Sequence, residues 1–430
     1  MQQEVVPYVS AAEALSVVQS GHRVYLHEVA MTPHRLVDAL CARATALEGV
    51  ETVSLHTEGP APYVAPELSG HIRHNALFAG ANVREAINDG RADYTPVFLS
   101  QIPELIRDRR LPIDVALLQV SPPDHHGFCR LGMSIACARA AAESATYVIG
   151  QINPRVPRTM GNSAIHVRQF HALVQADDPL PVVEKARIGE VENQIGEHVA
   201  ALVSDRATLQ MGIGAIPDAV LARLRDREDL GVHTEMFTDG LVDLVDAGVI
   251  TNRYKSTWRG RIVTSFALGS QRLYDFVDGN PFVEFHTSDI VNDTREIRKI
   301  DGMTAINSAL QVDLTGQVVA DSIGERFYSG IGGQMDFIHG ANLAANGKAI
   351  IALPSTAKGG QISRIAPFLD AGSGVVTTRG HVQYVATEYG VVNLEGQPVR
   401  KRADLLISIA HPDFRTDLRA YAVGRRLIPV

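Results

Sequence analysis

The stretch ATLQMGIGAIPDAVLARLRD, residues 207–226, decides the reading of the fold. An apolar run ends in Gly212-Ile213-Gly214-Ala215-Ile216, and Pro217 then opens a segment with helical spacing of apolar residues. A strand running through a short glycine loop into a helix is the repeating unit of α/β proteins. Proline is compatible with the first helical turn, where its missing N–H costs nothing. Other apolar runs of similar length are RVYLHEV (23–29), VETVSLH (50–56), DVALLQV (114–120), ATYVIGQI (145–152) and KAIIALP (348–354). They read as strands buried on both faces, crossed by helices such as PHRLVDALCARATAL (33–47). The fold class expected is α/β.

Two parts of the chain share a pattern. Aligning Pro33 with Pro217 sets strand, loop, proline, helix and second strand in the same order. Both copies end in a His-Thr-Glu triplet, His56-Thr57-Glu58 and His233-Thr234-Glu235. ALLQVSPPDHHG (116–127) and SALQVDLTGQ (308–317) then match as strands entering a hairpin turn. The expectation is a duplicated architecture with domains at 1–190 and 191–430, joined through the polar, Pro-containing stretch near 180–195. Only the second copy combines a glycine loop with the glutamate. The first has Glu28-Val29-Ala30-Met31-Thr32 in the loop position.

Composition narrows the function. The 430 residues carry 40 Lys+Arg against 48 Asp+Glu, a net charge of −8, so no global basic field is available for nucleic acid or an anionic membrane. Three cysteines are too few and scattered for a disulfide framework, and no apolar window reaches the length of a membrane span. The amino-terminal MQQEVVPYVSAAEAL lacks the pattern of a secretory leader. A cytoplasmic protein is expected. His125 and His126 are adjacent, and on an extended chain such neighbours point apart, so no metal site is expected. The GxSxG elbow of α/β-hydrolases does not occur.

Several stretches can carry chemistry. Glycines at a strand-to-helix turn admit an anionic ligand to backbone amides. A dinucleotide fingerprint would need a third glycine where Pro217 stands, although Glu235 lies 23 positions past Gly212 and keeps an NAD-dependent dehydrogenase as a remote alternative. A second cluster runs from Ser329 through Gly330, Ile331, Gly332 and Gly333 to Phe337, where backbone N–H groups could face an oxyanion or a phosphate. Lys358 and Arg364 flank Gly359-Gly360 as local cations, and His381, Glu388 and Tyr389 form a titratable trio.

Taken together, GIGAIPDAVL, HTEMFTDG, GIGGQMDFIHGA, LPSTAKGGQISRI and HVQYVATEYGVVNL resemble the acetyl-CoA hydrolase/transferase family, a group of class I CoA-transferases. FAGANVREAINDGRADYTPVFLSQIP, DVALLQVSPPDHHGFCRLG and INPRVPRTMG extend the resemblance over nearly the whole chain, which looks most like the 4-hydroxybutyrate CoA-transferases. The resemblance implies two similar CoA-transferase-type open α/β domains with the active site in the cleft between them. It implies a nucleophilic Glu235, oxyanion donors at Ile213 and Gly333, and Asn307 as a holder of the reacting carboxyl groups. CoA would lie along Gly212, Ile213, Gly214, Ala215 and Ile216, at Ser329, Gly332 and Gly333, and near Lys358. No cofactor beyond CoA and no metal is implied. The partners expected are an acyl-CoA, a small carboxylic acid and a second copy of the chain in a dimer. An acyl-CoA hydrolase using the same glutamate is the alternative within the family.

Overall fold

A computed structural model describes residues 6–429; the first five residues of the amino-terminal stretch read above lie outside it. The chain divides into two compact units. The first comprises the described residues up to Val183 together with Val263–Val291 and Phe327–Gly330, and the second comprises Glu184–Ile262, Asn292–Arg326 and the chain from Ile331 onward. The main division falls between 183 and 184 rather than at 190, and the first unit is discontinuous. Its returning segment belongs there by backbone pairing. Ile135 N donates to Ser265 O at 3.0 Å, Ala267 N donates to Met133 O at 2.8 Å, and the strand Val283–Phe285 runs parallel to Met160–Gly161.

In the first unit seven parallel strands take the order Ala172–Gln175, Tyr147–Ile152, Val115–Val120, Arg23–Leu26, Val50–Ser54, Ile72–Ala76 and Asp93–Tyr94. Every residue of Val115–Val120 is buried, which is why that stretch reads as a continuous apolar run rather than an alternating one. The helix His34–Ala42 packs Leu36, Val37 and Leu40 inward onto a core that includes Val24, Leu26, Val50 and Leu117. It is shorter than the 33–47 periodicity suggests; the remainder is a separate 3₁₀ turn, Ala44–Ala46.

The second unit repeats this order. Tyr384–Thr387, Lys348–Ala352, Met303–Ser308, Thr208–Met211 and Gly231–Phe237 are adjacent and parallel, position for position with the first five strands above. An added hairpin strand, Gly390–Asn393, runs antiparallel at the edge. All six apolar runs quoted from the sequence are strands of these sheets. One correspondence shifts. The counterpart of Val115–Val120 is Met303–Ser308, whereas SALQV only begins there with Ser308, and its Gln311 and Val312 lie in a separate small sheet of Gln311–Asp313, Val318–Val319 and Ile365–Ala366. Only the hairpin character of that match holds.

The loops after the first strand differ between the units. In the first unit Glu28 is fully buried and accepts hydrogen bonds from the Tyr25 hydroxyl, from Ser134 Oγ at 2.9 Å, and from the backbone N–H of Cys137 at 3.1 Å and Ala138 at 3.3 Å. Burial, and next the Glu28 carboxyl, push the Tyr25 phenol well above its ordinary pKa, so it remains a donor. The position occupied by glycines in the second unit is thus closed by a carboxyl group with all its contacts internal. Replacing Glu28 by Gln turns one acceptor into a donor facing donors. Glu28→Gln should lose about 1–3 kcal/mol of stability, read as a lower urea midpoint; an unchanged midpoint would contradict this role for Glu28.

Candidate active site

Glu235 lies inside the strand Gly231–Phe237. Its neighbour Thr234 is fully buried and ties this strand to the residue just before the glycine loop. The Thr234 hydroxyl accepts from Met211 N at 3.3 Å and lies 3.0 Å from the carbonyls of Met211 and Met236, to either of which it can donate. The loop Gly212-Ile213-Gly214 therefore leaves its strand one residue from a point pinned beside Glu235. Gly214 has φ +116°, a conformation that side chains rarely adopt, and caps the helix Ala215–Ala222. Added Cβ atoms at Gly212 and Gly214 would meet nothing within 4 Å, and Ile213 is 49% exposed, so this loop faces open space. Ile216 is buried, leaving its backbone as the part a ligand could reach. Pro217 stands third in the helix rather than first.

The carboxylate of Glu235 meets the second glycine cluster directly. A Cβ on Gly333 would fall 1.8 Å from Glu235 Oε2 and 2.0 Å from Asn292 Nδ2, so no larger residue fits there without moving both. Gly333 is the N-cap of the helix Gln334–Leu343, whose amino end carries the partial positive charge of the helix dipole. Asn292 is fully buried and donates from Nδ2 to Glu235 Oε2 at 2.9 Å, with Asp336 Oδ2 a further 3.5 Å contact. Its other atom, Oδ1, has no hydrogen-bond partner. A buried amide held in this way fixes the rotamer of the carboxylate and presents a donor to any negative charge that develops on it.

Asn307 is paired with a neighbouring strand. On the strand Met303–Ser308, its Nδ2 donates to Gln210 Oε1 at 2.9 Å, and the reverse contact between Gln210 Nε2 and Asn307 Oδ1 is a long 3.5 Å. The amide on Glu235 is that of Asn292. Neither Asn292 nor Gln210 was distinguishable in sequence. Asn292 lies in DIVNDT, which has no glycine loop to mark it, and Gln210 sits within an ordinary strand.

The remaining residues separate. Gly332 lies beside Gly333 in the second unit, but the division between units falls after Gly330, so Ser329 groups with the first unit, where its carbonyl accepts from Ala79 N at 3.3 Å. Lys358 is exposed at the tip of the hairpin joining Thr356–Ala357 to Ile362–Ser363, with φ 49°. The trio at 381–389 disperses. Glu388 accepts from Ser355 N and Ser355 Oγ, while His381 pairs with Thr378 Oγ1 at 2.8 Å. Glu58, counterpart of Glu235, has a carboxylate oxygen 3.4 Å from His56 Nε2, and its backbone N–H donates to Thr32 Oγ1 at 3.1 Å. His125 and His126 do not point apart; they sit in a turn with ring centroids 3.8 Å apart. Among the described residues no group of three or more His, Cys, Asp or Glu is placed to hold a metal ion, and no helix is long and apolar enough to cross a membrane.

Residues 4–184 match the acetyl-CoA hydrolase/transferase N-terminal domain and residues 269–422 match the C-terminal domain. The chain is 49% identical over 410 residues to the 4-hydroxybutyrate coenzyme A transferase of Clostridium kluyveri, covering 95% of this chain and 96% of that one. It is 46% identical to a succinyl-CoA:acetate/propanoyl-CoA:succinate CoA transferase of Fasciola hepatica, covering 96% and 87%. The crystal structure of a 4-hydroxybutyrate CoA-transferase from Porphyromonas gingivalis superposes with TM-score 0.85 at 37% identity, covering 98% of each chain. RipA from Yersinia pestis superposes with TM-score 0.92 at 35% identity, again over 98% of each. With both domains matched and relatives of this kind along nearly its full length, the chain belongs to the acetyl-CoA hydrolase/transferase family and acts as an acyl-CoA:carboxylate CoA-transferase.

Proposed function

We propose that this enzyme moves CoA between a short-chain acyl-CoA, such as acetyl- or butyryl-CoA, and 4-hydroxybutyrate or a related small carboxylic acid, through a thioester formed on Glu235. The observation that carries this reading is the Glu235 carboxylate, held by Asn292 against a glycine that caps a helix.

A carboxylate suits this exchange because its product with an acyl-CoA keeps the acyl group activated. A Glu235 oxygen attacks the thioester carbonyl, the C–S bond breaks, and CoA leaves as thiolate, giving a mixed anhydride. The thiolate then attacks Cδ of Glu235, the anhydride C–O bond breaks, and the first acid departs as its carboxylate. A second carboxylate attacks Cδ of the glutamyl thioester, releasing thiolate again. Attack of that thiolate on the new acyl carbonyl returns the Glu235 carboxylate and yields the second acyl-CoA. Each attack passes through an anionic tetrahedral centre. Asn292 Nδ2 and the amides at the amino end of Gln334–Leu343 are the donors available to such a centre on Glu235, with Ile213 N proposed as a donor toward the acyl carbonyl. Gly212 to Ile216, Gly332, Gly333 and Lys358 are proposed to line the CoA path, Lys358 supplying charge for a phosphate. Ser329 and Asn307 are proposed as more distant contributors, Asn307 through its pairing with Gln210.

The reading is tested by supplying acetyl-CoA with a panel of acids including 4-hydroxybutyrate, butyrate, propionate and succinate. Acetyl-CoA should be consumed only with an acceptor, giving the matching acyl-CoA and the parallel double-reciprocal lines of a ping-pong reaction. Consumption at the same rate without any acid would instead identify a hydrolase.

The glycine at 333 offers a second test. Gly333→Ala places a methyl group where Oε2 of Glu235 and Nδ2 of Asn292 now lie. Turnover should fall by about 100-fold or more, as for loss of a preorganised donor, with the circular dichroism spectrum unchanged. Near-normal turnover would contradict the placement of Glu235.

A further inference from the structure

A second recess lies in the same unit, at the opposite ends of the strands. Strands Thr208–Met211, Met303–Ser308, Lys348–Ala352 and Tyr384–Thr387 are neighbours, and residues at or just before their amino ends surround a cavity of about 630 Å³. This volume lies within the range of small-molecule sites, about 300–1,000 Å³. The glycine loop and the end of the Glu235 strand lie at carboxyl ends of this sheet, so the recess is not part of the site described above.

Its walls carry three kinds of group. Arg206 sits over the Tyr254 ring with its guanidinium carbon 4.2 Å from the centroid. Lys348 Nζ is held by Leu202 O and by Ser204 Oγ, the latter at 3.3 Å, and partial burial lowers its pKa. Asp205 and Asp301 are each oriented through one oxygen, by Glu228 N at 2.9 Å and Asn346 Nδ2 at 2.8 Å. Tyr254 and Tyr384 supply the aromatic surface, Tyr254 being 43% exposed.

The two cations and two carboxylates cancel, so this lining does not suit a bare polyanion. It suits a molecule with an anionic end, a central set of hydroxyl donors and a flat ring. We propose that the recess binds a ribonucleotide, with the phosphate on Arg206 and Lys348, the ribose hydroxyls on Asp205 or Asp301, and the base stacked on Tyr254 or Tyr384. Arginine and lysine are matched to phosphate, carboxylates to a ribose diol, and aromatic rings to bases. Arg206 restrained on a ring is pre-oriented, which reduces the entropy lost on binding.

This inference does not depend on the transfer chemistry, and its test reads binding rather than turnover. AMP titrated calorimetrically into the full-length wild-type protein should bind in the micromolar range, with adenosine and inorganic phosphate each much weaker. Arg206→Asn, tolerated at the φ of 63° found there, and Lys348→Met should each weaken AMP binding about ten-fold or more. Photolabelling with 8-azido-AMP should mark peptides containing Tyr254 or Tyr384. Displacement of that label by AMP alone identifies a free mononucleotide as the occupant, and displacement by CoA as well identifies the nucleotide end of CoA. Absence of AMP binding, binding unchanged in both variants, or label confined to peptides around Gly212 or Lys358 would overturn the proposal.

Discussion

The contact between the Glu235 carboxylate and the backbone at Gly333 is the constraint around which the second unit is arranged. A carboxylate can be brought this close to a helix N-cap only if the cap has no Cβ. Once there, it meets a region where the helix macrodipole favours negative charge. Asn292 completes the setting from a fully buried position, donating 2.9 Å to the same oxygen that lies against Gly333. On the other side, Thr234 links the Glu235 strand to Met211, so the position of the carboxylate and that of the glycine loop are coupled through one hydroxyl. The Glu235 carboxylate, its Asn292 donor and an open loop are therefore brought together from separate parts of the sequence.

The first unit shows what the same strand order becomes without those features. Its central strand leads into a loop whose Glu28 is buried under four hydrogen-bond donors rather than into glycines facing open space. Glu58, in the place of Glu235, is engaged by a neighbouring histidine. One copy of the architecture has turned its loop into internal structure and the other has kept it open, consistent with a single nucleophile in a duplicated fold.

Much of this was legible in the chain because the physical signals were local. Continuous apolar runs marked the strands of both sheets, since strands buried on both faces have no polar alternation to confuse them. The paired His-Thr-Glu triplets pointed to the repeated strand order, and the glycine loops marked where backbone would be accessible. What escaped were residues whose role depends on long-range packing. Asn292 approaches Glu235 across 57 positions of sequence, with no neighbouring motif to announce it. Domain boundaries escaped for the same reason. The segment Val263–Val291 follows the second unit's strands in sequence but groups with the first unit. The adjacent histidines were misjudged because a turn, not an extended strand, carries them.

The most direct measurement is the location of the covalent intermediate. Enzyme incubated with acetyl-CoA and no acceptor acid, digested and analysed by mass spectrometry, should carry CoA as a thioester on the peptide containing Glu235, and subsequent addition of a carboxylic acid should discharge it. A CoA adduct on the peptide containing Glu58, or no adduct on an enzyme that turns over normally, would contradict the central claim that Glu235 is the nucleophile.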